Sequence, residues 1–226
     1  MSTYAELENR KTELIRKALA GSCFGAPISA DPITSLTEAG GSLATLPEGY
    51  GDYGWLSEEG MAFGRDVTQS DITSFGSTTP TRSDITADTT TLTIVAQETN
   101  LRTIGLNTGA SMEGIVPDSS TGEVRIDKPD RPSARFYRVL ALAVDESATG
   151  AEIYIARYLP RAKVTSYAAQ NFASGDEAIT WGVTWTGYID SASGTSESWL
   201  FGGPGWIETL EAMGFDPIDG GGGGGD

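Results

Sequence analysis

Histidine is absent from this 226-residue sequence, and cysteine occurs once, at Cys23. Without histidine, neither a Ser-His-Asp nor a Cys-His catalytic arrangement can be assembled within one chain. A single cysteine excludes an internal disulfide framework and any cysteine-based zinc site. Cys23 follows the first predicted helix in a stretch of small residues, the setting of a packed thiol rather than a nucleophile. Lysine and arginine stop at Lys163, and across the chain 15 basic residues face 31 acidic ones, a formal net charge of −16. Specific nucleic-acid binders need a basic face to neutralise phosphates, so a grip on DNA is not expected. No apolar run approaches the ~20 residues needed to span a bilayer, and no membrane partner is expected. Met1 to Leu19 is too charged to hold the apolar centre of a secretory signal. A reducing cytoplasm, or release from it by lysis, fits these features.

Apolar residues make up only 38%, while glycine reaches 29 residues and serine and threonine are plentiful. That profile suits many strands joined by turns, or a domain whose extensions order in an assembly. Charged residues are not frequent enough for wholesale disorder.

Residues 1–54 read as an N-terminal helix and an extended arm. Thr3 with Glu6 fits a capping box, and Leu7, Leu14, Ile15, Ala18 and Leu19 share a helical stripe, with Gly21 as a left-handed stop. Glu6 with Arg10, and Glu13 with Lys17, stand four apart as opposite charges. From Ser22 to Gly54, Pro27, Pro32, Pro47 and repeated glycines predict little regular structure. An arm of this length needs a surface, either its own domain or another copy.

Residues 55–213 read as one mostly antiparallel β domain. Gly54 to Phe63 has Glu58-Glu59-Gly60 between apolar stretches, as in a hairpin, and Ile72 to Phe75 is a short strand candidate. Thr89 to Gln97 alternates Leu92 and Ile94 with threonines. The polar stretch Arg65 to Asp88 between them suits a long hairpin, solvated or bound by a partner. Asn100 caps a helix from Leu101 to Asn107, closed near Gly109. Further strands are expected at Val124–Ile126, Phe136–Val144, Glu152–Leu159, Val164–Tyr167, Ala178–Ile189 and Ser198–Gly202, with Asp145, Glu146 and Gly150 in a turn. A terminal helix from Trp206 to Met213 precedes residues 214–226, a glycine-rich tail expected to be flexible.

The chemistry-bearing patterns are weak. No phosphate-binding glycine loop joins a strand to a helix. Glu58 and Glu59 are neighbours, so on a strand they point to opposite faces; Asp145 with Glu146 has the same flaw, and Asp127 and Asp130 flank a proline loop. Asp118 to Glu123 has some of the acids of a calcium loop but lacks their alternation and the closing glutamate, as a polar turn would. Trp181, Trp185, Tyr188 and Trp199 could form a sugar-binding platform, but period-two spacing favours a sheet core. No catalytic, cofactor-binding or metal-ligating residue is assigned. Phe63 and Phe75, apolar residues beside the polar hairpin, are the candidates for contacts between copies.

Four strings carry a resemblance. They are Gly54-Trp55-Leu56-Ser57-Glu58-Glu59-Gly60-Met61, the run from Thr86 to Asn100, Arg157-Tyr158-Leu159-Pro160-Arg161-Ala162-Lys163-Val164-Thr165, and the strand from Trp181 to Asp190. In order and spacing they resemble the major tail tube proteins of long-tailed phages infecting actinobacteria, over most of residues 20 to 190. The resemblance implies a β-sandwich or partly closed barrel with one flanking short helix. It implies hexameric rings that stack around a tape-measure protein, meet tail terminator and tail-tip proteins, and later conduct DNA without binding it. Such a protein is assembled in the host bacterial cytoplasm and resides in the virion tail. Many relatives append an immunoglobulin-like domain, where this sequence has its glycine tail. The rival expectations are a tail terminator or head decoration protein, a tail-tip carbohydrate- or receptor-binding module, and an acidic hydrolase.

Overall fold

A computed structural model describes residues 3–110, 112–128, 130, 135–175 and 178–216. Eight strands form one antiparallel sheet: β1 (Ala20–Pro27), β2 (Gly51–Asp52), β3 (Leu56–Ile72), β4 (Arg82–Ala96), β5 (Tyr137–Glu146), β6 (Glu152–Tyr167), β7 (Trp181–Gly187) and β8 (Ser198–Gly202). Their order is β2-β1-β5-β6-β7-β4-β3, and β8 pairs with β6 off that path. Helices α1 (Tyr4–Leu7), α2 (Leu101–Thr108) and α3 (Pro204–Met213) complete the chain. The protein is mainly β, as its threonine-rich alternating runs predict.

The strand β6 organises the sheet. Along one side it pairs with β5 from Glu152 to Ala162. Along the other it pairs first with β8, through Tyr154 to Tyr158, and then with β7, from Ala162 to Tyr167. Pro160 sits where the partner changes. Proline cannot donate to a ladder and is confined to edges and bulges. Here the β5 register shifts between Val139↔Leu159 and Tyr137↔Ala162, and the Pro160 carbonyl accepts from Arg138 Nη1 at 2.9 Å. The sequence predicts separate strands at Glu152–Leu159 and Val164–Tyr167; the bulge carries one strand through both.

The sheet curls around a core formed by Leu92 and Ile94 of β4, Val139 and Ala141 of β5, Leu159 of β6, and Val183 and Trp185 of β7. Cys23, Tyr53 and Leu106 of α2 join it. Helix α2 forms as predicted. The Asn100 side chain accepts from the Arg102 and Thr103 N–H groups at 3.0 Å, Thr103 Oγ1 accepts from Asn100 N–H, and Gly109 closes the helix at φ 64°.

The N-terminal half departs most from expectation. Instead of one helix to Leu19, the chain makes a four-residue helix and a 3₁₀ turn at Thr12–Leu14. A short helix is marginal without a packing partner, and Leu7, Ile15 and Leu19 are exposed. Of the expected helix pairs, Arg10 turns to Glu8 instead, at 2.8 Å; the Glu6 side chain lies outside the described residues. Gly21 is not a helix stop: it pairs with Ala143 inside β1, where a Cβ would stand 2.8 Å from the Leu142 carbonyl oxygen. The expected arm therefore begins with a sheet strand, and the segment of little regular structure is residues 28–50. Its surface is its own domain. Ile33 and Leu36, backed by Leu46 and Tyr50, cover Leu140, Leu142, Tyr154 and Ala156 on the outer face of β5 and β6. Each such burial stabilises by roughly 1.5–3 kcal/mol. Polar ties add to it: Ile33 N–H donates to Tyr158 Oη, Tyr50 and Tyr158 hydroxyls bond at 3.0 Å, and Arg138 Nε donates to the Ala30 carbonyl at 2.8 Å. β5 is thus covered on both faces, which is why Val139 to Val144 reads as an unbroken apolar run.

Other boundaries shift. Glu58-Glu59-Gly60 is not a hairpin turn but an irregularity inside β3, where the register jumps from Leu56↔Ala96 to Met61↔Ile94. Val124 to Ile126 forms no strand. Asp145 and Glu146 end β5, ahead of the turn. Gly220 to Asp226 lies outside the described residues.

Candidate assembly surface

The long hairpin leaves the body abruptly. In β4, Thr90, Leu92, Ile94 and Ala96 are buried at every second position, whereas Arg82 to Asp88 are exposed without alternation. In β3 the change falls at Gly64, beyond which every residue to Ile72 is exposed. Val67 to Ile72 pairs with Arg82 to Asp88, so the ladder continues where the core has stopped. The eight exposed residues from Arg65 to Ile72, at 3.3 Å each, make a two-stranded ribbon about 26 Å long. Arg65 grips Asp88 across the strands with two hydrogen bonds of 2.8 and 2.6 Å, and Arg82 pairs with Asp84. At the turn, Thr81 N–H donates to the Ile72 carbonyl and the Ser74 and Thr81 hydroxyls bond at 2.8 Å. The ribbon carries Val67, Ile72 and Ile85 exposed, with Phe75 fully exposed at its tip.

The root of the ribbon is tied to four strands. The Arg157 guanidinium of β6 lies 3.8 Å from the Phe63 ring centroid of β3 and 4.1 Å from that of Trp199 on β8. It forms an ion pair with Glu197, whose other oxygen accepts from Thr90 Oγ1 of β4 at 3.0 Å. Of the two expected contact residues, Phe63 is therefore half-buried at this node within the chain, and Phe75 stands at the far end of the ribbon. The node has no signature in the sequence, because Phe63, Thr90, Arg157, Glu197 and Trp199 meet only through strand pairing.

Among the described residues, no cluster of three or more Asp, Glu, Cys or His side chains could hold a metal ion. Asp118 Oδ1 accepts from the Ser120 hydroxyl at 2.6 Å and from the Ser120 and Thr121 N–H groups at 2.9 Å, a polar turn, and these bonds hold its carboxyl far below the usual range. A cavity of about 710 Å³ lies between β1 and α2, with Tyr53, Leu106, Tyr137, Arg102 and Arg135 among its lining. Both guanidinium groups donate to backbone carbonyls there, Arg102 to Gly25 and Gly49, Arg135 to Ala110.

The predicted aromatic core is split. Trp185 is fully buried, Trp181 is half-buried and donates to Thr99 Oγ1 at 3.1 Å, and Tyr188 packs edge-on to Phe136. Trp199 does not belong to the core: it is 57% exposed, because β8 has a neighbour on one side only.

Cys23 is buried, and burial, helped by the nearby Asp52 charge, pushes its thiol well above the ordinary range. It therefore stays protonated at neutral and mildly alkaline pH. A disulfide-exchange reagent at pH 8 is expected to find no reactive thiol in the native protein and one per chain in denaturant; rapid native labelling would contradict the packing.

No helix among the described residues is long and apolar enough to cross a membrane. No protein-family model matches the chain, and no curated protein is similar to it in sequence.

Proposed function

We propose that this protein is a structural subunit, not an enzyme, that assembles into stacked hexameric rings forming the tail tube of a long-tailed bacteriophage. The observation that carries the reading is the ribbon. An isolated two-stranded hairpin is marginally stable in water, and this one projects about 26 Å with both faces and its apolar tip uncovered. Such an element makes physical sense when a neighbouring copy covers it. The curled sheet, with β1 reaching β3, fits a partly closed barrel, and its pairing edges offer strands for a wall continuous between copies. Charge supports the same role: a ring would carry six times −16, and a negative wall lets DNA pass without adhering. In this reading the lumen holds the tape-measure protein before DNA, and terminator and tail-tip proteins close the ends.

Electron microscopy of the purified protein at rising concentration is expected to show rings or tubes. Limited proteolysis is expected to cut residues 65–88 in the monomer and spare them in the assembly. Monomers at every concentration, or equal cutting in both states, would overturn the proposal.

Exposed Trp199 favours a second reading, a tail-tip carbohydrate-binding module. That reading requires glycan binding that Trp199→Ala abolishes with the fold intact.

A further inference from the structure

The ribbon is not alone among the described residues in exposing apolar side chains. Another such surface runs from β8 onto α3. Trp199 and Phe201, two apart on one face of β8, stack with centroids 6.3 Å apart; Phe201 and Trp206 lie 4.8 Å apart and nearly parallel, and Phe215 follows at 6.4 Å. Although these rings cover one another, Phe201 and Phe215 remain 43% and 56% exposed. A contiguous aromatic strip of this kind marks an interaction surface. Beside it, β8 pairs with β6 alone among the described strands, so one backbone edge is open.

Two cations border the strip, among the acids Glu208 and Glu211 of α3 and Asp216 beyond it. Lys11 Nζ donates to the Ala212 carbonyl at 2.6 Å and Arg16 Nη2 to Thr209 Oγ1 at 3.0 Å, bringing two cations onto α3. Neither forms an ion pair among the described residues. Glu208 is engaged by the Ser147 and Thr149 hydroxyls. The ribbon can match those two cations locally. Its two arginines are matched by Asp88 and Asp84, which leaves Asp66 and Asp71 uncompensated, and its tip presents Phe75 beyond Ile72, the last residue of the ladder. The ribbon cannot serve its own strip, since it is exposed along its whole length although Arg157 fixes its root beside Trp199.

Resting on the tail tube reading, we propose that the aromatic strip of β8 and α3 is the seat for the ribbon tip of a second copy, with Phe75 on the rings and Asp71 toward Arg16. Tip and seat are different patches, so each copy gives one and receives one. A contact of that kind is not satisfied by a dimer and propagates into rings or filaments.

The test replaces Phe75 with the photoreactive analogue p-benzoylphenylalanine in the full chain, which is then illuminated under assembling conditions. Crosslinks between chains that map to residues 199–215 are expected. A charge pair provides the second arm: Arg16→Glu is expected to raise the assembling concentration at least tenfold, and Asp71→Arg added to it to restore most of the loss. Tubes that crosslink elsewhere, or that ignore both charge changes, would remove the seat and leave the tube reading standing. Protein that stays monomeric and uncrosslinked would remove both.

Discussion

Replacing residues 67–88 with Asn-Gly is expected to give a folded monomer that no longer forms rings or tubes. The splice joins Asp66 to Thr89, which already face each other in the ladder, and Asn-Gly favours the two-residue turn that fits a twisted antiparallel pair. Nothing in the core is lost, because Leu92, Ile94 and their neighbours lie beyond the splice and the removed strand positions are exposed. The midpoint of thermal unfolding should therefore stay within a few degrees of the parent. Sedimentation velocity and electron microscopy read the outcome. A shortened protein that still assembles would show that the ribbon is not the element joining the copies, and an unfolded one would show that it supports the domain.

Arg157→Ala is expected to have the largest effect on stability of any single substitution at the ribbon's root. The Arg157 and Glu197 side chains are 15% and 11% exposed, so the pair is close to buried. Removing one member of a buried pair leaves the other charge uncompensated, at a cost of about 3–5 kcal/mol. The hydrogen bond from Thr90 cannot offset it, since a net contribution of that kind is about 1.5–3 kcal/mol even for a charged acceptor and is present in both proteins. Two ring contacts are lost as well, each worth roughly 0.5–2 kcal/mol. Glu197→Gln in the same chain removes the stranded charge and should recover a large part of the loss. Urea unfolding of the single and double variants checks this. A single variant within about 1 kcal/mol of the parent would mean that water reaches the pair.

The two experiments separate roles that the sequence presents as one. Phe63 and Phe75 look alike beside a polar hairpin, yet one anchors the ribbon's root under a guanidinium and the other stands at its tip. Helix α2 was legible because its signals are local: an Asn-x-x-Thr cap and a glycine stop act within a few residues. So were β4 and β8, where burial on one face writes a period of two or short edges write a boundary. The segment from Ala20 to Pro27 was not legible as a strand. Gly21 and Gly25 have no room for a side chain because the Leu142 carbonyl and the Tyr53 ring press close on them, a demand set by other segments of the chain. The predicted N-terminal helix failed for the converse reason, that the apolar stripe of a good local pattern stays exposed at Leu7, Ile15 and Leu19.

The sequence by itself determined the strand-rich class, the capped helix α2, the polar hairpin and the acidic charge, and the lack of histidine excluded the common triads. Those properties follow from composition and from interactions a few residues long. Only the tertiary structure decided that residues 28–50 cover their own sheet, that β6 changes partners at Pro160, and that Trp199 faces solvent while Trp185 fills the core. Trp185 sits on β7, flanked by β6 and β4, whereas Trp199 sits on β8, which pairs with β6 alone among the described strands. Burial depends on how many strands and layers flank a position, and the chain fixes that number only when distant segments pair.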